Sequence, residues 1–137
     1  NYPMAAANAD NKVQDYEGIA GSDLSSAQRL ALLDLIEAYI GNLRDPHAAV
    51  TMAEIAEHLD TTYFAWIGHS EDDAVFYYRV HSPVIMIEFD HQNPVGTQML
   101  NTPGQPTRDH IHTVVRTPNG NDYGKDLLAQ HLASVQH

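Results

Sequence analysis

His110 and His112 stand one residue apart in "RDHIHTVVRT", at the start of an apolar run. Residues two apart on a strand share a face, so both imidazoles point the same way, about 7 Å apart along the chain. Two imidazoles so placed can converge on one ion. Glu88 and Asp90, two apart in "IEFDH", offer carboxylates at the same spacing. Two histidines and a carboxylate suit Zn²⁺ as a hydrolytic Lewis acid, or Fe²⁺ with open positions for an oxidation. With only nitrogen and oxygen donors, Mn²⁺, Ni²⁺ and Cu²⁺ fit as well. The expected metal set is Glu88, His110 and His112. Asp90 or His131 would be a fourth ligand or would support the other three. Arg79 and Arg116 carry forked guanidinium groups that either neutralise the acids or hold an anionic substrate in two hydrogen bonds. The bland alternative stands beside this. An H-x-H on a strand is a weak signal alone, and Arg79 with Glu88 also reads as an ordinary cross-strand pair.

Alternation along three segments brings these groups together. In 76–81, Tyr77, Arg79 and His81 oppose Phe76, Tyr78 and Val80. In 84–91, Val84, Met86, Glu88 and Asp90 oppose Ile85, Ile87, Phe89 and His91. In 110–117, His110, His112, Val114 and Arg116 oppose Ile111, Thr113, Val115 and Thr117. Each strand has one mainly apolar face for a helical layer and one face with ionisable groups. If the strands are neighbours, the ionisable groups share one surface.

Other residues carry less. Trp66, Tyr63, Tyr77 and Tyr78 could line a sugar or aromatic pocket, but at strand spacing they read as core. Ser25, Ser26 and Ser82 lack a nearby His–acid arrangement and nucleophile-elbow glycines. No glycine pattern points to a nucleotide.

The elements that must position these groups are legible upstream. In "DLSSAQRLALLDLIEAYIGNLRD", Ser25 and Gln28 form a capping box, followed by a stripe of Leu32, Leu33, Ile36, Tyr39, Ile40 and Leu43. Asp45 as N-cap and Pro46 at the first helical position start a second helix with Val50, Met52, Ile55, Ala56 and Leu59 inward. "TTYFAWIG" reads as a strand buried on both sides. The loop "HQNPVGTQMLNTPGQPTR" is long for a compact domain, which favours a functional role. Asn121 or Asp122 would cap a last helix through "YGKDLLAQHLASVQ". The fold class is α+β: an N-terminal helical hairpin, an antiparallel sheet of about four strands and a C-terminal helix, with room for missing strands of a larger domain. Residues 1–22 should run as an extended surface segment ahead of a single domain at 23–137.

Composition narrows the partners. The chain has 137 residues, 7 basic and 18 acidic, a formal charge of 7 − 18 = −11. So acidic a surface repels phosphate backbones, which argues against nucleic acid. No apolar run approaches the roughly 18 residues of a membrane span. The absence of cysteine removes disulfides, thiolate zinc sites and cysteine nucleophiles. The expected partners are a small-molecule substrate and either a second copy of the chain or a missing N-terminal part.

The segments "TYFAWIG", "FYYRVHSPVIMIEFDHQ" and "HIHTVVRTPNGNDYGKDLLAQH", with the helix-forming stretch upstream, resemble the DUF3500 family of bacterial and fungal proteins. The resemblance covers about residues 15–132, in matching order. It implies that the chain corresponds to the C-terminal portion of longer proteins and that 91–109 is a variable segment. Its motif positions fall on Trp66, Tyr78, Arg79, Glu88, Asp90, His110, His112, Arg116, Asn121, Asp122 and His131. The family brings no mechanism. It implies an exported setting, secreted or periplasmic. The function expected from residues and resemblance together is a metal-dependent enzyme, oxidative rather than hydrolytic because no separate general base stands beside the set. The alternatives are a non-enzymatic metal- or ligand-binding module, or a structural domain completed by a partner chain.

Overall fold

The computed structural model describes residues 13–118 together with 131, 132, 134 and 135. The elements run β1 (Ile19–Ala20), α1 (Ser26–Ile40), α2 (Asp45–Glu57), β2 (Tyr63–Gly68), β3 (Phe76–His81), β4 (Met86–His91) and β5 (Ile111–Arg116). The strands form one antiparallel meander in the order β1-β2-β3-β4-β5. This is the α+β class. The four longer strands match the expected segments, and the two-residue β1 makes a fifth.

Local signals explain the helix starts. Ser25 and Gln28 form the capping box at α1, with the Ser25 amide donating to Gln28 Oε1 at 2.9 Å. α2 begins one residue earlier than expected. Arg44 holds the cap position, and Asp45 is already helical, placing its charge in the positive first turn. Leu32, Ile36, Ile40, Ile55 and Leu59 bury themselves against Tyr78, Val80, Ile85 and Ile87 of the sheet. Val50, expected to point inward, is exposed. An aromatic stack crosses the same sheet face: Trp66 on Phe76 at 4.4 Å, and Tyr78 on Phe89 at 5.2 Å.

β2 is not buried on both sides as expected. β1 pairs only with Tyr63 and Phe64, so the outer edge beyond them lacks a strand partner among the described residues. Trp66 and Ile67 are exposed there. The β3–β4 link is held by Ser82, whose hydroxyl accepts from the Ile85 amide at 3.0 Å. The loop after β4 is ordered around Asn101. Its amide group donates to the Thr97 carbonyl and to Asp109, and its carbonyl accepts from the Thr107 hydroxyl at 2.8 Å. The C-terminal helix expected after Asn121 falls mostly outside the described residues. Among the described residues, no helix is long and apolar enough to cross a membrane.

Candidate functional site

The register turns the polar face into rows. Ala65, Arg79, Glu88 and Val114 form one row across β2 to β5. Ile67, Tyr77, Asp90 and His112 form the row on one side of it, and Tyr63, His81, Met86 and Arg116 the row on the other. Tyr77, Arg79, Glu88, Asp90, His112 and Arg116 therefore share a face, while His110 lies just ahead of β5, outside the register. The face is not an open surface, however. Arg79 is 3%, Glu88 0%, His81 0% and Asp90 5% exposed. Part of the cover is the chain itself. Residues 13–17, ahead of β1, lie over β2 and β3. The Tyr16 ring stacks on Tyr63 at 5.0 Å and sits 4.4 Å from His81.

Gly18 makes this return possible. Its φ is +101°, and a Cβ there would lie 2.1 Å from the Phe64 carbonyl oxygen. Only a residue without Cβ combines that conformation with so close an approach to β2.

Arg79 is held from above. Its guanidinium donates to Gln14 Oε1 at 2.8 Å through Nη1 and pairs with the Glu17 carboxylate through Nη2. Glu88, its register partner, lies 3.9 Å from Nη1. Glu88 instead accepts a 2.5 Å hydrogen bond from the Tyr77 hydroxyl. Burial, and then that hydrogen bond to a carboxylate, hold the Tyr77 hydroxyl well above the usual phenol range. His81 is pushed the other way. Burial lowers its pKa, the neighbouring Arg79 charge lowers it further, and the nearby backbone of Asp15 opposes both. That Asp15 interaction is a loose one, since neither ring nitrogen of His81 makes a well-formed hydrogen bond among the described residues.

The two histidines of the opening motif meet at the β5 edge. His110 Nε2 and His112 Nε2 are 2.8 Å apart, with ring planes at 76°. The other nitrogen of His110, Nδ1, bonds the Asn93 carbonyl oxygen. A carbonyl only accepts, so Nδ1 carries the proton, and in the neutral ring Nε2 presents a lone pair. Asp90 is the register partner of His112 and accepts from Gln92 Nε2 at 3.0 Å. Asp90 also lines a cavity of about 150 Å³ with Ile67, Phe76, His91 and Pro106.

Of the expected metal set, His110 and His112 come together and Asp90 shares the His112 row. Glu88 sits opposite Val114, one row away, engaged with Tyr77 and near Arg79. His131 is exposed, and the described contacts of that residue are made by its carbonyl. Arg116 is half-buried across Met86 from His81. Among the described residues, no three His, Cys, Asp or Glu side chains are already gathered to hold a metal ion.

A family model described as protein of unknown function (DUF3500) matches residues 2–125. The chain belongs to the DUF3500 family. The match spans nearly the whole chain and gives no support to the expectation that this DUF3500 chain corresponds to the C-terminal portion alone. Neither a curated protein nor a solved structure matches it. Asn121 and Asp122, two of the expected family motif positions, lie outside the described residues.

The residues the sequence did not single out are Gln14, Tyr16, Glu17 and His81. His81 had a signal, because alternation puts it on the polar face with Arg79. Gln14 and Glu17 had none, since nothing local says that an extended segment doubles back over a sheet.

Proposed function

We propose that this protein is a metal-dependent enzyme whose ion is held by His110, His112 and Asp90 at the β4–β5 edge. One observation carries this: the two Nε2 atoms converge to 2.8 Å while a backbone carbonyl fixes the far side of His110. Two nitrogens bound to one ion, each about 2.0–2.1 Å from it, stand roughly 2.9–3.4 Å apart. In the metal-free pair His112 Nε2 donates to His110 Nε2, so a move of the His112 proton to Nδ1 and a shift of a few tenths of an ångström separate the pair from a chelating geometry. The hydrogen bond behind His110 is the usual device that orients a ligating imidazole. Asp90 replaces Glu88 as the preferred carboxylate, because it faces His112 whereas Glu88 already accepts from Tyr77.

A two-His, one-carboxylate set would leave open positions on the ion, where a redox-active metal such as Fe²⁺ would pass electrons from a small substrate to dioxygen as the oxidant. Oxidation is preferred to hydrolysis because the other carboxylate of the face is engaged and so is not offered as a general base. The cavity that Asp90 lines gives a small molecule a place beside that one ligand.

One observation favours a second reading. His110 ties Asn93 to the start of β5, so the pair could be a clip that closes the 92–110 loop in a module without catalysis. Elemental analysis of untagged protein, alongside His110→Ala and His112→Ala, separates the two. The enzyme reading expects about one equivalent of a divalent ion in the parent protein, lost in each variant with the fold retained. Equal metal content in all three proteins, or none after reconstitution, leaves only the clip.

A further inference from the structure

Arg79 is bound in an unusual way for a structural arginine. Its natural partner would be Glu88, directly across the strand pair and fully buried. Glu88 keeps an ion pair with it at 3.9 Å, yet the hydrogen bonds of the fork go off the sheet to residues 13–17. There it meets a carboxylate whose side chain remains 67% exposed, although the Arg79 side chain is 4% exposed.

The occupied positions are informative. A carboxylate binds arginine best side-on, accepting from Nε and Nη2 in parallel. Glu17 takes Nη2, while Nε has no hydrogen-bond partner among the described residues. The side-on edge is thus half filled. Two residues along the same face, His81 adds a buried ring whose nitrogens make no well-formed hydrogen bond, although the Asp15 backbone lies close enough to act on it. A neutral imidazole keeps one N–H to donate. Buried donors without acceptors cost stability unless something satisfies them. Both kinds of donor call for the same complement, an oxygen-rich anion.

We propose that Arg79 and His81 form a carboxylate-binding subsite beneath residues 13–17, with Glu17 as its displaceable internal ligand. An entering carboxylate takes the Nε/Nη2 edge with both oxygens, where Glu17 uses one. The exchange replaces one negative charge by another, so the buried Arg79–Glu88 balance is preserved. Tyr16 must leave its stack on His81 and Tyr63 for the ligand to reach the imidazole, with Gly18 as the pivot. The subsite is separate from the metal reading, and metal-free protein is enough to test it.

The test is titration of acetate into metal-chelated protein, followed by the Arg79 Nε–Hε resonance in ¹⁵N NMR, with chloride at equal ionic strength as control. Arg79→Lys identifies the resonance. Glu17 is exposed, so Glu17→Gln folds. The expected result is a saturable shift with acetate and none with chloride, and about tenfold tighter acetate binding in Glu17→Gln, as for removal of a competing charged hydrogen bond. Adding His81→Phe to Glu17→Gln weakens acetate about fivefold through loss of one donor. No saturable shift in Glu17→Gln overturns the subsite. Equal affinity with and without Glu17 overturns its role as internal ligand, and equal affinity with and without His81 removes that residue from the subsite.

Discussion

Tyr77 and His81 stand four residues apart on one face of β3, and burial drives both towards their neutral forms, with opposite consequences for pH. The unfolded Tyr77 phenol titrates near 10.0, and the folded one titrates higher. Between those values the native chain keeps a proton that the unfolded chain has lost. Stability is therefore full below about pH 10 and falls as pH rises, by at most about 1.4 kcal/mol per pH unit for one group. Tyr78, raised by burial and by the Tyr39 hydroxyl, adds to the same slope. Tyr77→Phe should flatten the alkaline limb of urea-midpoint measurements. At neutral pH it should cost about 1–3 kcal/mol, because it takes a hydrogen bond from buried Glu88. For His81 the unfolded value is 6.5 and the folded one lower. Below about pH 6.5 the unfolded chain takes up a proton that the native ring refuses, so stability is lost as pH falls through the folded value. His81→Phe keeps an aromatic ring against Tyr16 and should remove that early acid loss. A midpoint that falls equally in parent and variant between about pH 6.5 and 5 would contradict the assignment.

At the scale of elements, segment 13–17 depends on Gly18. Gly18→Ala adds a Cβ 2.1 Å from a backbone oxygen at a positive φ, so β1 and the segment ahead of it must shift. The expected outcome is a loss of more than about 1 kcal/mol and faster hydrogen exchange at 13–20, with α1 and α2 unchanged. Unchanged exchange at 13–20 would mean that the segment is held without the close approach at Gly18. Ser25→Ala should cost about 1 kcal/mol through the capping box and leave the segment alone. The contrast marks what the sequence made legible. The Ser25 capping box, strand alternation and the shared face of Arg79, Glu88, Asp90 and His112 are local patterns and were readable, whereas the cap of α2 fell on Arg44, one residue before the expected Asp45. Three features were not. β1 is too short to carry a period. The open edge of β2 follows from that shortness. The burial of the polar face depends on a chain reversal at Gly18, where the glycine alone does not say which way the chain turns.

For the molecule as a whole, the candidate metal site lies where it can act on global stability. Among the described residues β5 is the last strand of the sheet, and His112 sits on it opposite Asp90 of β4. His110 lies where the 92–110 loop joins β5 and holds Asn93. An ion on His110, His112 and Asp90 would therefore tie an edge strand and a long loop to an interior strand. Such a cross-link forms only in the folded chain, so binding must stabilise the fold by mass action. At free metal a hundredfold above the dissociation constant, the gain is about 2.7 kcal/mol, or a melting rise of roughly 10 °C for a domain of this size. Melting with Mn²⁺, Zn²⁺ or anaerobic Fe²⁺ against a chelator should show that rise, reversed by the chelator. His112 is exposed and His110 half-buried, so the His110→Ala/His112→Ala double variant should melt near the chelated parent and gain nothing from metal. Asp90→Asn should gain less than the parent. If the double variant gains as much as the parent, the ion is binding elsewhere, for instance at the acidic 71–73 turn, and the His110–His112 contact closes a loop without holding a metal.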